Sequence, residues 1–120
     1  MKISVLIPYK PDRGQRDRIF DWTLRRYKAA FPDFEVCVGE SQGEAFNRSA
    51  AINAAARKAT GDVFVIADAD LCFRPELIDA AIEALNQCAY VIPYVRVAHI
   101  SYDGTLDLLK MHPATDEFDL

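Results

Sequence analysis

Two carboxylates, Asp68 and Asp70, close an apolar run in "DVFVIADADL" (residues 62–71), with only Ala69 between them. Like charges this close repel, so the pair calls for a bridging cation or for separate solvation of each group. Hard cations such as Mg²⁺ and Mn²⁺ prefer carboxylate and phosphate oxygens, which makes Asp70 and Asp68 candidate metal ligands. Two other stretches carry complementary chemistry. "FNRSAAIN" (46–53) holds Phe46 and Arg48, and "SVLIPYKPDR" (4–13) ends in Pro8, Tyr9, Lys10 and Arg13, followed by Arg16. Arginine matches phosphate oxygens with a planar fork, and an aromatic ring can flank a base. The set suits a nucleoside diphosphate held with a divalent ion.

Each residue also has an ordinary role. An Asp-x-Asp triplet is common in solvated turns and helix caps. Phe46 can act as a hydrophobic staple ahead of a helix, and Arg48 as a solvated helix residue. Tyr9, set in a loop, is expected at a site rather than in a core. His99 and His112 are isolated and are not taken as ligands. Cys37, Cys72 and Cys88 fit no zinc spacing and read as reduced core residues; only Cys72, next to the aspartates, sits near the chemistry.

What must position these groups is an alternation of strands and helices. Residues 3–8 read as a buried strand ended by proline, 9–14 as a loop, and 17–31 as an amphipathic helix. That helix has Phe20, Leu24, Tyr27 and Phe31 on its apolar face, and Arg18, Arg25, Arg26 and Lys28 on a solvated one. A second strand spans 34–38 and a polar loop 39–44. The next helix, capped by Asn47 or Ser49, runs to about Thr60, and its alanines leave it slim enough to lie close on a sheet. A third strand covers 63–67, a helix starting at Pro75 presents Leu77, Ile78, Ala81, Ile82 and Leu85, and a fourth strand is expected over 90–94. The β-α-β-α-β-α-β order predicts an α/β fold: a mainly parallel sheet with right-handed crossovers and helices on both faces. Ligands collect at the carboxyl ends of such strands, which brings the loops after the first three together.

With 120 residues and 51% hydrophobic content, the chain has material for one domain and one core. A net charge of −4 argues against a general nucleic-acid binder, since phosphate-backbone affinity needs clustered Lys and Arg. No apolar run approaches the roughly 20 residues that span a bilayer. The start, Met1-Lys2, enters a strand-like run rather than a leader, so no membrane partner and a cytoplasmic location are expected. No Gly-x-Gly-x-x-Gly or Walker loop follows the first strand, and there is no nucleophile elbow.

The three quoted stretches, in this order and spacing, resemble the nucleotide-sugar-binding half of a GT-A glycosyltransferase. The likeness is to family 2 and, more closely, to the β-1,4-galactosyltransferase and chondroitin-polymerase type, over most of residues 3–85. It implies a Rossmann-like nucleotide-binding half, a nucleoside-diphosphate sugar as donor, UDP-sugar first, and Mn²⁺ or Mg²⁺ as cofactor. By that resemblance Pro8, Tyr9, Lys10 and Arg13 line the nucleotide pocket, and Phe46 and Arg48 hold the base, ribose or diphosphate. Asp68, with Ala69 beside it, faces the ribose or sugar, and Asp70 binds the metal directly. Glu40 stands where many members carry a base-recognising acidic segment, and Lys10 where the galactosyltransferase pattern has arginine, a point charge in place of a bidentate fork.

No acceptor-side catalytic base of the family is found. Asp116, Glu117 and Asp119 read as a solvated acidic cluster. The chain therefore reads as a single donor-binding domain, 1–120, without the family's acceptor-binding half, either a piece of a longer enzyme or a naturally short product, with self-association or a missing C-terminal half as the expected partner. Two other readings remain: a nucleotide or nucleotide-sugar-binding module without catalysis, and a nucleotidyltransferase, disfavoured because "PYKPDRGQR" has only Gly14 where a Gly-rich loop is usual.

Overall fold

The run Ile-Ser-Val-Leu-Ile-Pro is apolar on both faces, and a strand of that kind belongs in the middle of a sheet. In the computed structural model, which describes residues 1–115, it forms β1 (Ile3–Pro8), buried from Ser4 onward. Helix α1 (Gln15–Ala30) leads to β2 (Glu35–Gly39), α2 (Arg48–Lys58) to β3 (Val63–Ile66), and α3 (Pro75–Ala84) and α4 (Tyr102–Lys110) follow. Among the described residues the sheet has three strands in the order β2-β1-β3. Both pairings are parallel, with Leu6 opposite Cys37 on one side and opposite Ile66 on the other.

Alternation along β1 divides the core. Val5 and Ile7 pack with Tyr27 of α1, with Phe31 just past its end and with Ile78 of α3, while Leu6 packs with Cys37 and with Ala55 of α2. Helices thus cover both faces, as the strand-helix alternation predicts. The chain moves from β1 to β2 in one direction and then crosses back to β3 on the other side of β1. The order therefore reverses between β1 and β3, a switch point where loops diverge and leave a crevice.

The alanine helix lies as close as its composition allows. A Cβ on Gly39 would sit 1.8 Å from the Ala51 carbonyl oxygen and 2.8 Å from the Ala55 nitrogen. At the other end of the sheet Glu35 ties three segments together. Its carboxylate accepts from Ser4 Oγ at 2.7 Å, from the Thr60 amide at 2.7 Å and from Thr60 Oγ1 at 2.9 Å, and it pairs with Lys2. Those bonds, led by the Thr60 amide, hold its pKa down to about 2.

Four expectations need correction. Residues 90–94 form no strand: Tyr90, Ile92 and Tyr94 are exposed, and Pro93 removes a donor that a ladder would use. Arg26 does not belong to a solvated face. It is 3% exposed, and its guanidinium donates to the carbonyls of Phe73 at 2.8 Å and Pro113 at 3.1 Å, because residues 111–115 cross that side of α1. Trp22 Nε1 donates to the Met111 carbonyl in the same crossing. Cys88 is exposed and Cys72 half-buried, leaving only Cys37 in the core, where burial raises its thiol pKa. Helix α4, not expected from the sequence, starts at Ser101, whose hydroxyl accepts from the Gly104 amide at 3.1 Å. The acidic cluster Asp116, Glu117 and Asp119 lies outside the described residues. No described helix is long and apolar enough to cross a membrane.

Candidate functional site

The carboxyl ends of β1 and β3 flank the switch point, and the aspartates stand there. Ala67 and Ala69 are buried in the core, so the small residue between the carboxylates anchors the turn while Asp68 and Asp70 face outward. Arg48, the first residue of α2, closes on Asp68: Nε at 3.2 Å and Nη2 at 2.9 Å both donate to the same Oδ1. Both side chains are about half exposed, so the pair is worth at most about 1 kcal/mol. It nevertheless answers the repulsion between the aspartates, since an arginine takes up one of the two charges. Asp70 is exposed and makes no hydrogen bond or ion pair with another described residue.

No group of three or more metal-ligating side chains occurs among the described residues. The donors present are one open carboxylate and a second one shared with arginine. This fits a Mg²⁺- or Mn²⁺-type ion that takes one or two carboxylates and completes its shell with substrate phosphates and water, rather than a dedicated protein cage.

The loop after β1 is differently built from the sequence reading. Tyr9 is 4% exposed, with its ring centroid 4.0 Å from that of Phe20 and its hydroxyl donating to Asp17. An exposed aromatic platform at this position is therefore corrected: Phe20 and Asp17 of α1 supply an apolar wall and an acceptor that draw the ring inward. Burial, and then the bond to Asp17, raise the Tyr9 pKa, while the Tyr9 hydroxyl is the main cause of a lowered pKa at Asp17. Pro8 is buried beneath the loop. Lys10 reaches across to the second loop, where Nζ donates to the Glu44 carbonyl at 2.9 Å. Arg13 is exposed, with φ 58°.

In the loop after β2, Asn47 is the helix cap: its side chain accepts from the Ala50 amide at 3.0 Å, and its own amide donates to Ser41 Oγ at 3.0 Å. That double tie fixes the start of α2, and with it Arg48. Phe46, one residue earlier, is 39% exposed, and Glu40 is exposed where the loop begins. Lys10, Arg48, Asp68 and Asp70 thus share one edge of the sheet, while Tyr9 supports that edge from within. Sequence reasoning missed Ser41 and Asp17. Asp17 carries a signal, since an acidic residue in the first turn of a helix stands beside amides that have no intrahelical acceptor.

The larger described cavity, about 180 Å³, lies at the amino end of β1 among Ile3, Phe31, Phe34, Pro75 and Ile78. It is apolar in character and lies at the opposite end of β1 from the aspartates. In sequence comparison, the family described as Glycosyl transferase family 2 matches residues 23–118, from within α1 through β2, α2, β3, α3 and α4. No curated protein and no solved structure gives a match.

Proposed function

The chain belongs to glycosyl transferase family 2, and from that premise we propose that it binds a nucleoside-diphosphate sugar together with Mn²⁺ or Mg²⁺ across the carboxyl ends of β1 and β3. Membership makes it a glycosyltransferase, and a nucleotide sugar is the donor class of that family. UDP-sugar is the first choice among donors. The observation that carries the metal reading is the unequal pair: Asp68 is held by Arg48, and Asp70 is left open beside it.

In this reading Asp70 holds the ion and Asp68 faces the ribose or sugar. Arg48 exchanges its bond to Asp68 for the arriving diphosphate, which outbids one exposed carboxylate by its greater charge. Lys10 and Arg13 add positive charge from the first loop, Phe46 offers its exposed ring to the base, and Glu40 is the acceptor available to a base N–H. Pro8, Tyr9 and Ala69 act from beneath by fixing the backbone that carries these groups. The ion supplies stabilisation of charge on the departing nucleoside diphosphate. Sugar transfer to an acceptor hydroxyl needs a general base, for which no residue here is assigned.

Calorimetric titration of UDP, UDP-sugars and GDP-sugars, with and without Mn²⁺, tests the reading on the native chain and on Asp70→Ala. Metal-dependent binding that disappears in Asp70→Ala is the expected result. Absence of binding to every nucleotide in both conditions would sink it. Slow hydrolysis of the bound donor separates a catalytic unit from a module that only binds.

A further inference from the structure

Asp17 lies in the first turn of α1, outside the groups that reach the open edge, yet its carboxylate organises the whole first loop. One oxygen accepts from the Tyr9 hydroxyl and from the Asp12 amide at 3.2 Å, and the other accepts from the Arg13 amide at 2.9 Å. Asp12 reciprocates. It accepts from the Gly14 amide at 2.8 Å and from the Arg16 and Asp17 amides at 3.3 Å each. The amides at the start of a helix have no intrahelical acceptor, and two facing carboxylates satisfy them here from both directions.

This box holds Arg13 in the left-handed region, at φ 58°, where it is the only non-glycine residue with positive φ among those described. Glycine or asparagine would adopt that conformation at less cost, so an arginine there is maintained by its surroundings rather than by its own preference. The same carboxylate also pins Tyr9 inward. The residues on either side of the buried ring, Pro8 and Lys10, therefore share one fixed frame with Arg13.

We propose that Asp17 is a positioning residue for the donor site, acting through the Arg13 backbone to set this arginine at the carboxyl edge of β1, where it meets the diphosphate. The inference rests on the donor-site reading above and adds a residue that touches no donor atom itself.

A double-mutant cycle on UDP affinity in the presence of Mn²⁺ tests it. Asp17→Asn and Arg13→Ala are each expected to weaken UDP about tenfold, the loss of one charge-assisted contact. The double variant should also lose about tenfold, because a residue that acts only through Arg13 has nothing left to position once that side chain is gone. Tyr9→Phe, which keeps both amide bonds, serves as a milder variant that preserves the fold; its smaller loss should likewise vanish in the Arg13→Ala background. Amide hydrogen exchange at Asp12 and Arg13 should quicken in Asp17→Asn and stay unchanged in Arg13→Ala. Multiplying losses, about a hundredfold in the double variant, would mean that Asp17 acts independently of Arg13 and would overturn the proposal alone. A native chain that takes up no UDP overturns the donor-site reading and this proposal with it.

Discussion

Replacing Gly39 by alanine adds a single methyl group at the tightest contact between sheet and helix. The new Cβ would meet the Ala51 carbonyl oxygen at 1.8 Å and the Ala55 nitrogen at 2.8 Å. Both are backbone atoms of α2, so no side-chain rotation relieves the overlap, and α2 must withdraw from β2 by roughly 1.5 Å to regain van der Waals contact. Ala51 and Ala55 are fully buried, and Leu6 and Cys37 pack against this helix, so withdrawal opens the contact along its length. Overpacking of a well-packed core commonly costs about 1–3 kcal/mol, and a backbone-to-backbone clash belongs at or above the upper end. We expect Gly39→Ala to lose about 3 kcal/mol, a large share of the stability of a domain this size. Gly43→Ala is the control. Gly43 has φ 94° and nothing within 4 Å of its added Cβ, so it carries only the backbone penalty of about 1–2 kcal/mol. Urea unfolding followed by circular dichroism reads both, provided the m-values match. A Gly39→Ala loss below that of Gly43→Ala would refute the close-approach argument. Because α2 begins with Arg48, withdrawal of the helix should also carry Arg48 away from the carboxyl edge, visible as reduced UDP affinity at temperatures where the variant remains folded.

Arg48→Ala removes a cation from beside Asp68 and is expected to act with opposite signs on two ligands: tighter binding of Mn²⁺ alone, because both aspartates become available, and weaker binding of UDP with Mn²⁺; its stability should change by under about 1 kcal/mol, and a parallel loss for both ligands would contradict the exchange of partners. Glu35 supplies a pH dependence. Its folded pKa, about 2, lies below the ordinary 4.5, so its contribution is fully present above pH 4.5 and is lost as the pH falls toward 2. The unfolding temperature of the native chain should fall as the pH drops across that window, and Glu35→Gln should flatten this part of the profile; identical slopes would remove Glu35 from the account.

The fold was legible where it depends on local pattern. Proline after a β-branched run, alanines at helical spacing and a carboxylate pair at a strand end each have a physical meaning independent of distant residues. They gave the three parallel strands, the helices between them and the edge where the loops meet. The failures have a common cause. Tyr9, Arg26 and the 90–94 segment were read from their own surroundings in the chain, but their environments are made by residues far away. Phe20 and Asp17 bury Tyr9, the 111–115 crossing buries Arg26, and residues 90–94 have strand composition with no ladder to join.

By itself, then, the sequence determined the order of strands and helices and the edge of the sheet on which the aspartates and the basic groups gather, because strand and helix periodicities are local and parallel crossovers have one hand. Only the tertiary structure decided how those groups are shared. Arg48 and Asp68 are 20 residues apart and become partners only after α2 and β3 return the chain to the same edge. Asp70 is left open by that partnership, and the first loop is set by Asp12 and Asp17, because hydrogen bonds and ion pairs depend on distances that a one-dimensional pattern does not contain.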